Sequence, residues 1–252
     1  MGTQKLTSAL FFVFSLFLLA SCSNEPIDPA LIAQQGLSSN SGNSIGGATL
    51  SGDYFPAALN NQWLYTLNGA SQPQSKMVSI DNINGLTYYT FSPATASVST
   101  TVVSATQRLR KNSGDYFLKT EDYTFTTNGI SGTTTGFEVN SLKDYLPVGG
   151  SWTASYSQTT TFNNPLIPVI TAITTYTGTI LEKGSTVTVG STTYINVIKL
   201  KLNQSVAFSG SASTVSTDYW FAKNVGLVKY VIYGADGTTP QNTSLLTSYI
   251  LN

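Results

Sequence analysis

Five short turn signals punctuate this chain: Asn68-Gly69, Asn84-Gly85, Asn112-Ser113-Gly114, Asn128-Gly129 and Asp236-Gly237. Asn-Gly and Asp-Gly supply the positive φ angles of type I′ turns, whose twist matches two antiparallel strands. Between and beyond these turns lie short runs rich in β-branched and aromatic residues, which suit a pleated, half-buried surface. The expected strands are Trp63–Leu67, Lys76–Asp81, Leu86–Phe91, Tyr116–Lys119, Tyr123–Thr127, Trp152–Phe162 and Ile170–Leu181. They continue with Ser185–Val189, Tyr194–Phe208, Ser216–Ala222, Leu227–Tyr233 and Leu245–Leu251. In Tyr194–Asn203 the alternation puts Ile198, Leu200 and Leu202 on one face and Lys199, Lys201 and Asn203 on the other, as expected of a sheet with one wet face. After Gly52 no segment has a helical period. The fold class is therefore all-β: an antiparallel meander forming a curled sheet, a half-barrel or a sandwich.

The start of the chain reads differently. Lys5 precedes an apolar run from Ala9 to Ala20, and Ser21 and Cys22 follow. Twelve residues are too few to cross a bilayer as a helix, which needs about 20. They fit the apolar region of an export signal. Leu19-Ala20-Ser21-Cys22 resembles the lipobox of bacterial lipoproteins: an aliphatic residue, two small residues and Cys. The resemblance implies cleavage before Cys22, diacylation of its sulfur and acylation of the new amine. It explains a lone cysteine in an exported chain, since the thiol is consumed by lipid and no disulfide can form. Early acidic residues after Cys22, Glu25 and Asp28, resemble the surface-export signal of Bacteroidota lipoproteins. The expected location is the outer membrane or cell surface.

The expected organisation is a signal peptide over 1–21, a lipidated Cys and tether over 22–52, and one β-rich domain over 53–252. Ser, Asn and Gly dominate residues 38–47, a composition typical of flexible linkers. Within the domain, Asp53-Tyr54-Phe55-Pro56 followed by Trp63 and Tyr65 is echoed by Asp144-Tyr145-Leu146-Pro147 followed by Trp152 and Tyr156. The echo of 53–65 in 144–156 suggests two related halves. The opening Tyr-Phe-Pro…Trp-Leu-Tyr, the central Gly190–Lys199 and the closing Tyr219–Lys229 resemble a pattern in uncharacterised Bacteroidota lipoproteins. That resemblance spans most of 53–252 and implies no particular activity.

Composition removes several kinds of chemistry. The chain has no His, which excludes Ser-His-Asp and Cys-His catalysis and His-ligated zinc. Charged residues make up 10% and balance at 12 of each sign, so no basic footprint for nucleic acid exists. Glu121 and Asp122 are adjacent and point to opposite faces of a strand. Glu138 and Asp144 are six apart with Lys143 beside them, a second candidate pair for glycan hydrolysis, which needs two carboxyls about 5–10 Å apart. Asp81-Asn82-Ile83-Asn84-Gly85 lacks calcium-loop spacing and reads as a hairpin turn. Arg108, Arg110 and Lys111 read as a charged strand edge that resists pairing with other chains. No catalytic, metal-binding or cofactor-binding residue is assigned.

The function expected is a non-catalytic binding or interaction module held at a membrane through Cys22. Its partner is left open among an envelope protein, a glycan and a lipid. An envelope carrier of an apolar ligand, lipid or lipopeptide, is the alternative, and a glycan hydrolase the weaker one. Candidate ligand-facing aromatics are Trp63, Tyr65, Trp152, Tyr156 and Trp220. For the Trp residues of the echo, anchoring of the core is the competing role, favoured because a ring with a polar handle commonly sits at a core edge.

Overall fold

A computed structural model describes residues 52–98, 101–208 and 211–252. Cys22, the signal peptide and almost all of the tether lie outside the described residues. Among these residues seventeen strands, all paired antiparallel, form one sheet. In chain order they are β1 (Gln62–Leu67), β2 (Ala70–Ser71), β3 (Ser75–Ile83), β4 (Leu86–Phe91), β5 (Ala94–Val98) and β6 (Thr101–Ala105). Next come β7 (Gln107–Asn112), β8 (Asp115–Thr120), β9 (Tyr123–Thr127), β10 (Ile130–Thr134), β11 (Phe137–Lys143) and β12 (Ser151–Phe162). The last five are β13 (Ile170–Val189), β14 (Thr192–Phe208), β15 (Ser211–Ala222), β16 (Gly226–Tyr233) and β17 (Pro240–Ile250).

The pairings make a meander that folds over itself. Strands β12 to β17 follow one another, and β17 pairs with β1. From β1 the ladder turns through β3 into β4, β7, β8 and β11, which lie as a second wall. At the other end β12 pairs with β10, and the ladder continues through β9 and β6 to β5. It does not close into a barrel: among the described residues β5 pairs only with β6, and β11 only with β8.

The two walls bury one core. From β14 come Ile198, Leu200 and Leu202, while Lys199, Lys201 and Asn203 face outward as the alternation requires. From the second wall come Met77, Phe91, Leu109, Val139 and Leu142. Each such aliphatic side chain contributes roughly 1.5–3 kcal/mol by leaving water. A smaller cluster of Val103, Ala105, Tyr123 and Phe125, with Phe162 against it, holds the β6–β9–β10 lobe.

Four turns have the left-handed geometry their residues favour: Asn68-Gly69, Asn84-Gly85, Ser113-Gly114 and Asn128-Gly129. Asp236-Gly237 differs. Asp236 is not left-handed; its carboxylate accepts the N–H groups of Thr238 and Thr239 at 3.0 and 2.9 Å and shapes a longer loop between β16 and β17. The β15–β16 turn uses two positive-φ residues, Asn224 within it and Gly226 where the next strand opens.

Three further expectations are corrected. The chain from Ile170 to Val189 is one strand rather than two; bulges near Glu182 and Ser185 bend it while pairing with β14 continues. Strands β2, β5, β6, β7, β10 and β11 are additional. Strand β7 is no edge, since it pairs on both sides with β4 and β8. Its arginines are held by cross-strand carboxylates and do not ward off other chains.

Candidate functional site

The five aromatics separate into two roles. Trp63 is 1% exposed. Its ring lies edge-on to Phe55 and Phe91 at 5.3 and 6.2 Å, and its indole N–H donates to the Val225 carbonyl at 2.7 Å. Tyr65, two residues on and on the same face, donates its hydroxyl to the Leu227 carbonyl at 2.9 Å. Burial pushes its phenol far above the ordinary range, with Tyr230 and Tyr194 adding to the effect. The pair thus ties β1 to the start of β16 across the intervening β17. Gly226 sits against the Trp63 indole, where an added Cβ would lie 3.3 Å from Nε1.

Trp152 repeats this arrangement at the other copy of the echo. It is 9% exposed, and its indole N–H donates to the Asn140 carbonyl at 3.0 Å. The Asn140 N–H in turn donates to the Tyr176 hydroxyl at 3.0 Å. Both backbone groups of Asn140 that face away from β8 are therefore satisfied by side chains of β12 and β13. Tyr156 stacks on Phe137 with centroids 4.6 Å apart and planes 9° apart. The two Trp residues of the echo occupy the core and anchor it. Both copies use an indole N–H to hold a backbone carbonyl distant in sequence or on another strand.

Trp220 lies on the opposite, outer face of β15. Cross-strand pairing places Lys199 of β14 on one side of it and Lys229 of β16 on the other. Their ammonium nitrogens stand 4.9 and 4.7 Å from the indole centroid, within cation–π range. One step along the sheet, Asp218 is buried beneath Lys199 and Lys201, at 3.4 and 3.6 Å, and accepts the Tyr233 hydroxyl at 3.1 Å. Burial first, and Asp218 second, pushes the Tyr233 phenol up. The result is a strip of one half-buried indole, three ammonium groups and a phenol on rigid central strands. The flanking Lys residues were legible in principle: period two puts Lys199 and Lys201 on the wet face, but only the β14–β15 register places Trp220 between Lys199 and Lys229.

A second polar network covers the outer face of the β3–β4–β7–β8–β11 wall. Arg108 bridges Asp81, Thr90 and Glu121, and Lys119 shares Glu121 at 2.9 Å. Hydrogen bonds from Thr90 first, then Ser79 and Arg108, hold the Asp81 carboxyl below its usual range. Burial opposes ionisation of Glu121, but hydrogen bonds from Lys119 and Arg108 outweigh it and hold that carboxyl low as well. Arg110 lies over the Phe117 ring, 3.7 Å from the centroid, and donates to Glu138 at 2.6 Å; Tyr88 donates to the same carboxylate at 2.8 Å.

The carboxylates singled out in the sequence are thus dispersed. Glu138 belongs to this network. Asp144 sits at the tether end with Tyr116, whose hydroxyl lies 3.1 Å away. Lys143 pairs with Asp115 at 2.7 Å, and Asp122 accepts the Gly136 N–H at 2.7 Å. Asp81 turns toward Arg108 and away from the Asn84-Gly85 turn. Among the described residues no group of three or more His, Cys, Asp or Glu is placed to hold a metal ion.

No protein-family model matches the chain, and no curated protein matches it. Two solved structures are similar in shape. One, described as a "putative lipoprotein" from Parabacteroides distasonis, shares 13% identity with a TM-score of 0.46, covering 79% of this chain and 99% of that one. The other, described as a "putative exported protein with YmcC-like fold" from Bacteroides fragilis, shares 10% identity with a TM-score of 0.36, over the same shares of the two chains.

Proposed function

We propose that this chain is a non-catalytic binding module of the bacterial envelope, held at a membrane by lipid on Cys22, with the Trp220 strip as its contact surface. The strip carries the reading: Lys199, Trp220 and Lys229 form a row across three paired strands, on the wet face of the sheet. The accessible part of the half-buried indole offers apolar contact to the C–H face of a sugar ring, and the flanking ammonium groups offer donors to hydroxyl or carboxylate oxygens. A glycan is therefore the ligand class that suits it. Glu138, Asp144, Glu121 and Asp122 are held by separate partners and share no cleft, which supports a binding role over hydrolysis. The carrier alternative would need an apolar void between the walls; the packed rings of Phe55, Trp63, Phe91 and Phe221 weigh against one at the tether end.

Screening the unlipidated mature chain against envelope and host glycans, read by tryptophan fluorescence, tests the contact surface. Binding that is lost in Trp220→Ala and weakened in Lys229→Ala, with circular dichroism unchanged, is the expected result. Binding that survives Trp220→Ala refutes the assignment. Labelling with radioactive palmitate tests the anchor: label should enter the parent protein and be absent from Cys22→Ala.

A further inference from the structure

The hairpin joining β12 and β13 ends in Asn163-Asn164-Pro165-Leu166-Ile167-Pro168-Val169. Leu166 is 88% exposed and Val169 60%, and Ile173 beside them on β13 is 55% exposed. A cluster of aliphatic side chains standing in water at the end of a long hairpin needs a reason. Its surroundings carry no charge: from Tyr145 to Leu181 there is no Asp, Glu, Lys or Arg.

The backbone of the tip is the more telling feature. The Asn163 N–H donates to the Ser131 carbonyl at 2.9 Å, and the Asn163 side chain accepts the Ser131 N–H at 3.1 Å. The Leu166 N–H donates to the Asn164 side-chain oxygen at 3.0 Å, and the Ile167 N–H to the Asn164 carbonyl at 3.1 Å. Pro165 and Pro168 have no N–H to satisfy. Donors in an ordinary exposed loop are left to water. Here the N–H groups of Asn163, Leu166 and Ile167 are paired within the protein and two positions carry none, which lowers the cost of bringing this backbone toward an apolar phase.

We propose that this tip dips into the interfacial layer of a lipid bilayer, with Leu166, Ile167 and Val169 at the headgroup–acyl boundary. The proposal rests on the envelope location argued above, which places the domain beside a membrane. Geometry permits it. The tip lies at the Phe208–Ser211 end of the sheet, whereas the tether enters at the opposite end, where Asn224 donates to the Asp53 carbonyl at 2.6 Å. The β12 strand between those ends spans about 40 Å at 3.3 Å per residue. Residues 23–51 extend to at most about 100 Å, enough for lipid and tip to share one bilayer with the domain lying along it. A membrane contact made by aliphatic side chains without charge is insensitive to salt, unlike a basic patch.

The test uses the unlipidated mature chain carrying Cys22→Ala, so that no acyl chain contributes, and neutral phosphatidylcholine vesicles. The parent is expected to co-float with vesicles equally at low and high salt, and Leu166→Asp with Val169→Asp to lower partition about tenfold or more. With Cys22 replaced, Ile167→Cys gives a single thiol for an environment-sensitive dye, whose emission should shift to the blue on vesicles. The same dye on Ser191→Cys, at the other end of β13, should not respond. No partition by the parent, or partition unaffected by the two Asp substitutions, overturns the proposal; a tip that docks on a protein instead would give the first of these. Palmitate labelling of Cys22 is independent of the tip, so failure of the anchor and failure of the tip are distinguishable.

Discussion

Gly178 faces Trp152 directly across the β12–β13 ladder, and the indole lies over it. A Cβ built on Gly178 would overlap three carbons of that ring. Its backbone is not left-handed, so alanine is acceptable to the main chain and the conflict is with the indole alone. Replacing Gly178 by Ala gains about 0.5–1 kcal/mol from lower unfolded-chain entropy. Against this, forcing a methyl into a filled site costs typically 1–3 kcal/mol. If the indole shifts, it also surrenders its bond to Asn140, worth about 1 kcal/mol, more if the buried carbonyl is left unpaired. Gly178→Ala should therefore destabilise by about 2 kcal/mol. For a domain of this size that lowers the melting temperature by roughly 4–8 °C. Urea denaturation of the unlipidated mature chain, followed by circular dichroism, measures it. In a Trp152→Leu background the same change should become neutral or stabilising, a coupling of at least about 1 kcal/mol. A neutral Gly178→Ala, or the same cost in both backgrounds, would refute the assignment of Trp152 to the notch over Gly178.

Two predictions concern pH. Asp81 and Glu121 have carboxyls held below their unfolded values, so their contribution is present above about pH 4 and is lost as the pH falls through the lower folded values. Denaturation midpoints should fall below pH 4, and Arg108→Ala should flatten that acid limb; an unchanged limb would remove Arg108 from the account. At the other extreme, burial pushes the Tyr230 phenol up to about 12, and those of Tyr65, Tyr116, Tyr156 and Tyr219 also upward. The unfolded chain ionises near pH 10, so stability should drop from there upward. Absorbance at the phenolate band should rise for these residues only together with loss of the folded circular dichroism signal; ionisation that precedes unfolding would contradict their burial.

Much of the fold was legible because turn chemistry and period two are local. Asn68-Gly69, Asn84-Gly85 and Asn128-Gly129 form turns wherever their flanks can pair, and the Ile198–Leu202 alternation fixes which face is buried. What escaped was set by partners distant in the chain. Strands β5, β6 and β10 consist mostly of small and hydroxylated residues, so only pairing defines them: β6 with β5 and β9, and β10 with β9 and β12. In β7, Arg108 and Arg110 looked like solvent-facing charges, because the carboxylates that hold them lie 13 to 28 positions away. The echo of Trp63 and Trp152 was visible as a pattern, but the carbonyls that each indole holds were not. The tip is plain as letters, Pro-Leu-Ile-Pro-Val, but a short apolar run does not tell whether its side chains are buried, and only the structure places Leu166 and Val169 in water.

The Asn140 seam bears on how such molecules coexist. A terminal strand with unsatisfied N–H and C=O groups invites a strand from a neighbour. With the proposed lipid anchor such meetings would be frequent, because proteins held at a bilayer diffuse in two dimensions at high local density. At Asn140 the indole of Trp152 and the phenol of Tyr176 already occupy the positions an incoming strand would need. Residues that read as core anchors in a single molecule would thus also act between molecules, keeping a crowded layer of identical sheets from zipping together along β11.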